Sequence, residues 1–186
     1  MNTQKLKQTG FTIVELLIVI VVIGILAAIT IVSYSGIQTR AKNTQIAAAM
    51  DAYEKALRQY KTFNNTYPSS ISPGKTYACL GGDFPQKTPF NEGECFNISD
   101  GTVVAVKVPA VDAALKTVLS SPPEVTNDAF SYPYGTDGRT ATIRGIVYTG
   151  ANDYALIAYG IKGDQTCARG FKSTIGLGTV CQVSLD

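Results

Sequence analysis

A single carboxylate inside an apolar run constrains this chain more than any other feature. Glu15 sits within residues 11–32, a stretch of 22 residues that carries no other charge. As a helix the stretch would be about 33 Å long at about 1.5 Å per residue, enough to cross a bilayer core of about 30 Å. A carboxylate at that depth costs on the order of a few kcal/mol and marks a functional position. It needs a partner, and no Lys or Arg lies within the run. Cleavage after Gly10 would supply one: Phe11 would then carry a free ammonium four residues from Glu15, on the same helix face.

The flanking residues narrow the reading. A basic segment, Lys5-Leu6-Lys7-Gln8-Thr9-Gly10, precedes Phe11-Thr12-Ile13-Val14-Glu15-Leu16. Leader charge, glycine, phenylalanine, glutamate spacing and apolar length coincide here, and residues 5–36 resemble the type IV pilins and their pseudopilin relatives. A secretory signal peptide has an apolar core of about 7–15 residues and a small-residue cleavage site. This run is longer, and Leu26-Ala27-Ala28-Ile29-Thr30 offers no such site. A plain membrane anchor explains the length and the lysines, but not a carboxylate so near a Gly-Phe junction.

The resemblance implies a leader, residues 1–10, removed by a prepilin peptidase, with Gly10 and Phe11 as the processing residues and Phe11 N-methylated. It further implies that Phe11 and Glu15 direct assembly, the Glu15 carboxylate meeting the Phe11 amine of a neighbouring subunit. One family feature is missing. Many pilins carry proline where this chain has Val32. The helix is therefore expected to continue through that position, with Gly24 and residues 33–36 as its weaker points.

Composition excludes several functions. Sixteen Lys and Arg stand against 14 Asp and Glu, and removal of Lys5 and Lys7 would leave the charges balanced. There is no basic field for nucleic acid, so DNA binding is not indicated. The chain has no His, which removes His-based acid–base chemistry, His-activated nucleophiles and His metal ligands. Neither enzymatic activity nor a cofactor is expected. Asp137, Asp153 and Asp164 lack D-x-D-x-D-G spacing, so no metal site is expected either.

The four cysteines, Cys79, Cys95, Cys167 and Cys181, form no C-x-x-C pair and point to disulfides in an oxidising exterior. Three pairings are possible. Cys79–Cys95 and Cys167–Cys181 are favoured, because each closes a loop within one Gly-rich segment. Lys5 and Lys7 favour an N-terminus inside the cell. Arg40 and Lys42 follow the span so soon that charge alone does not decide orientation. The cysteines and the resemblance place the remainder outside.

Beyond the apolar run, Ile46, Met50, Tyr53, Leu57 and Tyr60 step by four and three, one face of a helix. The opposite face carries Asp51, Glu54, Lys55, Arg58 and Lys61, with Glu54 and Arg58 as an i,i+4 pair, and the helix should fray near Phe63. Residues 11–62 would make a rod of about 78 Å if continuous. Residues 71–101, rich in Gly and Pro, read as loop. Residues 102–108, 142–149, 154–161 and 179–185 read as strands, with a turn at 150–153 and a short helix at 111–119. Tyr132, Tyr134, Tyr148, Tyr154 and Tyr159 read first as sheet packing.

The expected architecture is α+β: a long N-terminal helix on an antiparallel sheet with disulfide-stapled loops. Residues 1–10 would be leader, 11–35 the membrane-spanning helix, 36–63 its amphipathic continuation and 64–186 an extracellular head. The expected function is a structural subunit of a type IV pilus-like filament. The alternatives are a pseudopilin of type II secretion or competence DNA uptake, and a membrane-anchored exterior binding domain. Expected partners are further copies of the chain, prepilin peptidase, the assembly machinery in the membrane, and lipid before assembly. The precursor would span the inner membrane once and then enter an extracellular filament.

Overall fold

The computed structural model describes residues 10–70, 77–125, 128–167, 170–175 and 178–185. The chain divides after Arg40 into two compact units. One helix, α1 (Ile13–Asn64), contributes to both and runs helically through Gly24, Val32 and Gly36.

In the first unit α1 has no buried face. Every large apolar side chain from Phe11 to Ile31 that the structure describes is about half exposed or more. The sequence explains this, because residues 11–31 are apolar on all sides and have no polar face to turn outward. The helix is long and apolar enough to cross a membrane.

In the second unit the helix is striped. Ile46, Ala49, Met50, Tyr53, Ala56 and Leu57 are buried, while Lys55 and Arg58 stay exposed and Arg58 pairs with Glu54 at 3.0 Å. The stripe packs into a core shared with a nine-stranded sheet. Its strands are β1 (Tyr77–Leu80), β2 (Glu94–Ile98), β3 (Val103–Val106), β4 (Phe130–Tyr134), β5 (Arg139–Ile143), β6 (Ile146–Ala151), β7 (Tyr154–Lys162), β8 (Phe171–Ile175) and β9 (Gly178–Ser184). The order is β4-β5-β2-β3-β1-β6-β7-β9-β8. Among the described residues only β1 and β3 pair in parallel. A short helix, α2 (Pro109–Lys116), starts on proline and buries Val111 and Leu115.

Strand β7 shows the period-two rule: Ala155, Ile157, Tyr159 and Ile161 are buried and the residues between them are not. Its hairpin with β6 turns at Asn152, which takes φ +54, a conformation Asn tolerates well. Close approach is built in at Gly178, where a Cβ would lie 2.0 Å from the Phe130 ring.

Two expectations need correction. Residues 71–101 were expected to be loop, yet β1 and β2 lie within them; residues 71–76, with Pro73 and Gly74, fall outside the described residues. Both strands are short and lack regular alternation of buried and exposed residues, so period two is hidden. Residues 142–149 were expected to be one strand. The chain breaks there between β5 and β6, because Gly145 adopts φ +71 and lets Arg144 turn inward.

Candidate functional site

The polar N-terminus of α1 is the first candidate. Gly10 is exposed with open space where a Cβ would stand, and Phe11 is 83% exposed. The remaining leader residues, Lys5 and Lys7 among them, lie outside the described residues. Thr12 and Glu15 form a reciprocal cap. The Thr12 N–H donates to Glu15 Oε2 at 2.9 Å and the Thr12 hydroxyl to the same oxygen at 2.8 Å; the Glu15 N–H donates to Thr12 Oγ1 at 3.2 Å. This is a capping box, T-x-x-E, which satisfies donors that a helix start leaves open. Within one chain the carboxylate therefore has a local partner, so its cost in an apolar setting is reduced. The T-x-x-E spacing was the available signal for Thr12.

The head contains a second constellation, and sequence reading missed it. Arg144 is 1% exposed. Its Nε donates to the Glu94 carbonyl at 2.8 Å, Nη1 to the Pro85 carbonyl at 2.7 Å, and Nη2 to the carbonyls of Asn91 at 3.1 Å and Phe84 at 3.3 Å. The guanidinium lies 4.5 Å from the Phe90 ring centroid. Burial pushes its pKa down from the ordinary guanidinium value, and the Glu94 charge opposes that shift. The bonds gather residues 84–94, which sit inside the loop closed by the Cys79–Cys95 disulfide. Arg144 is thus the hub of that loop. Its signal was a lone charge between Ile143 and the apolar Ile146-Val147.

A second disulfide joins Cys167 to Cys181, and no free cysteine remains among the described residues. Tyr148 and Tyr159 are buried, while Tyr134 and Tyr154 reach solvent. At the β4–β5 turn Arg139 bridges Asp137 at 2.7 Å and Asp100 at 3.0 Å. Hydrogen bonds from the Thr102 hydroxyl and N–H, with help from Arg139, hold the Asp100 carboxyl at about 2. Among the described residues no group of three or more His, Cys, Asp or Glu side chains is placed to hold a metal ion.

Residues 5–31 match the family described as the prokaryotic N-terminal methylation motif. The chain is 39% identical over 67 residues to type II secretion system core protein G of Aeromonas hydrophila, covering 36% of this chain and 47% of that protein. It is 38% identical over 64 residues to the core protein G of Vibrio cholerae and of Escherichia coli K12, covering 34% of this chain and 44% of each relative. The match thus spans less than half of each curated relative, and about two thirds of this chain lies outside it. No solved structure matches. Motif, apolar helix and relatives agree: residues 5–31 carry the N-terminal methylation motif, and over about a third of its length the chain is similar to the type II secretion core proteins G.

Proposed function

We propose that this chain is a pseudopilin: a filament subunit of a type II secretion-type assembly, cleaved after Gly10 by a prepilin peptidase and methylated at Phe11. The observation that carries the reading is an apolar helix segment, exposed along its length, with one carboxylate four residues beyond the cleavage position. Such a surface is stable only in lipid or against copies of itself. Residues 11–35 would lie in the inner membrane, N-terminus inside, before extraction by the assembly machinery. Residues 36–63 would continue the helix into a head, residues 64–186, in the oxidising space that the disulfides require.

The Thr12–Glu15 cap gives Glu15 two successive partners in this scheme. In the membrane precursor Thr12 satisfies the carboxylate. After cleavage the Phe11 ammonium of a neighbouring subunit competes for it as a charge, a stronger ligand than a hydroxyl. A subunit one step out of register would leave both charges unpaired in an apolar core, which sets the register. A surface pilus is the second reading. It is favoured by the extent of the match to the secretion proteins, which leaves about two thirds of the chain outside it.

The test is Glu15→Val in cells that carry the whole assembly system. Membrane insertion should be unharmed, because the costly carboxylate is gone. Filaments recovered by shearing or pull-down should become scarce. Normal filament yield from Glu15→Val would refute the pairing role. Long surface fibres containing the wild-type chain, with secretion intact after its deletion, would favour the pilus.

A further inference from the structure

We infer that the head binds a neutral carbohydrate in a polar groove at the β4-β5-β2 end of the sheet. This reading is independent of the filament the subunit enters. Strand register sets up one wall. Ser131, Thr142 and Asn97 stand directly opposite one another across β4, β5 and β2. Ser99 and Thr140 continue the same face: Ser99 N–H donates to the Thr140 carbonyl at 2.8 Å, and Thr140 N–H to Ser99 Oγ at 3.0 Å. Ala141 and Ile143, the alternate residues of β5, are buried, and Ile143 joins the core. The face turned away from that core is therefore built from hydroxyls and amides.

A solvent face of a sheet ordinarily carries charged residues and stays open to water. On this face hydroxyls and amides stand in place of charged residues: Ser99, Ser131 and Thr140 reach solvent, while Asn97 and Thr142 are buried. The loop that Arg144 gathers rises beside it as the second wall of an open groove of about 440 Å³. Glu94, Asn97 and Thr142 line it and are each only 7% exposed. Both Glu94 oxygens are occupied by Asn91, which donates its N–H and its side-chain amide at 2.9 Å each. Asn97 Nδ2 is tied to the Pro89 carbonyl at 2.9 Å, and its Oδ1 has no donor among the described residues. Thr142 and Ser131 share one hydrogen bond at 2.9 Å and keep further capacity.

These groups select the chemistry of an occupant. Glu94 is the only ionisable side chain in the lining, so an anion finds no cation. Pro89 is the one apolar side chain that the lining offers on this face, since Ile98 pairs with Ala141 on the core side, and that is too little for a greasy ligand. A ring with several hydroxyls offers both donors and acceptors, which a lining of amide and hydroxyl groups can meet without charge. The volume accommodates a hexose or an N-acetylhexosamine with room to spare. Asn97-Ile98-Ser99 also matches the N-x-[ST] spacing of a glycan acceptor, but Asn97 is held inside the fold, so this triplet would meet sugar as a ligand and not as a modification.

Saturation-transfer NMR on the full chain in a sugar-free detergent tests this. The probes are glucose, galactose and N-acetylglucosamine, with acetate and a short Gly-Ser peptide as controls. The expected result is transfer to at least one sugar and to neither control. Thr140→Trp places an indole across the groove from an exposed strand position and should reduce the transfer at least tenfold. Ser99→Trp does the same from the turn that follows β2, and unchanged far-UV circular dichroism certifies either variant. A wild-type chain that saturates none of the three sugars overturns the proposal by itself. So does transfer that persists in the folded variants, or that favours the peptide or acetate.

Discussion

Residues 13–40 and 41–64 belong to one helix, yet they answer to different surroundings. In the first, the large apolar side chains that the structure describes are exposed around the whole circumference, and the charged group near its start, Glu15, is tied to its neighbour Thr12. In the second, one stripe is buried to a few per cent and the other face is charged. The distribution of polar residues around the axis separates them. The second half is stabilised by its own head. The first half has no such cover among the described residues, so its partner must be lipid or another chain. The contrast makes a claim that can be broken: damage to the head should spare the first unit, and damage to the helix start should spare the head.

The largest expected effect is at Arg144. Arg144→Ala would take a donor from the carbonyls of Phe84, Pro85, Asn91 and Glu94. Phe84 and Asn91 keep backbone donors, the N–H groups of Gly93 at 2.9 Å and Glu94 at 3.3 Å. The expected loss is about 3–5 kcal/mol of head stability, from carbonyls left short of a partner at about 1–3 kcal/mol each and from the cavity left behind. Denaturant unfolding of the full chain in detergent measures it, while hydrogen exchange in residues 13–31 should not change. Loss of protection in both regions together would break the comparison.

Replacing Cys167 and Cys181 together comes next. Their sequence separation is 14, and the chain-entropy argument gives about 3 kcal/mol for such a loop. A shift in the head's unfolding midpoint checks it, again with no effect on exchange in the first unit.

Alkaline pH should divide the units without any mutation. Burial pushes the phenols of Tyr53 and Tyr148 well up, and that of Tyr132 up to about 12. All three lie in the second unit, Tyr53 on the buried stripe of α1 and the others in the head. A raised folded pKa means stability that is complete below the unfolded value of about 10 and is lost as pH rises toward the folded value. The head's melting temperature should hold to about pH 9.5 and then fall steadily. A flat profile to pH 12 would show these phenols ionising without cost to the fold.

The smallest effect concerns the cap. Thr12→Val removes both hydroxyl contacts with Glu15. Loss of a cap costs about 0.5–2 kcal/mol, felt in the first turn. Amide exchange at residues 13–16 should quicken in micelles, and head stability should be unchanged.

How much of this was legible follows from physics that a short window can or cannot see. The stripe from Ile46 to Tyr60 and the hairpin of β6 and β7 announce themselves by period; the stripe and β7 are where periodicity places them, while β6 starts at Ile146 and runs through Gly150 and Ala151, later than the expected 142–149. Strands β1 and β2 were illegible because four- and five-residue strands without regular alternation, in a Gly- and Pro-rich stretch, look like loop. Pro133 masked β4, which tolerates proline because it lies at the sheet edge. Arg144 was visible only as a charge out of place, since its four acceptors are backbone carbonyls and leave no trace in side-chain identity. The Thr12–Glu15 cap was legible from spacing. The groove was not, because it requires knowing that Asn97 and Thr142, 45 positions apart, stand opposite each other.

The most direct test of the account is the intact mass of the chain recovered from cells, read together with the sequence of its N-terminus. The account predicts a chain that begins at Phe11, carries one methyl group on that residue, and retains two disulfides. A recovered chain that begins at Met1, or one cut beyond Val32, would contradict it.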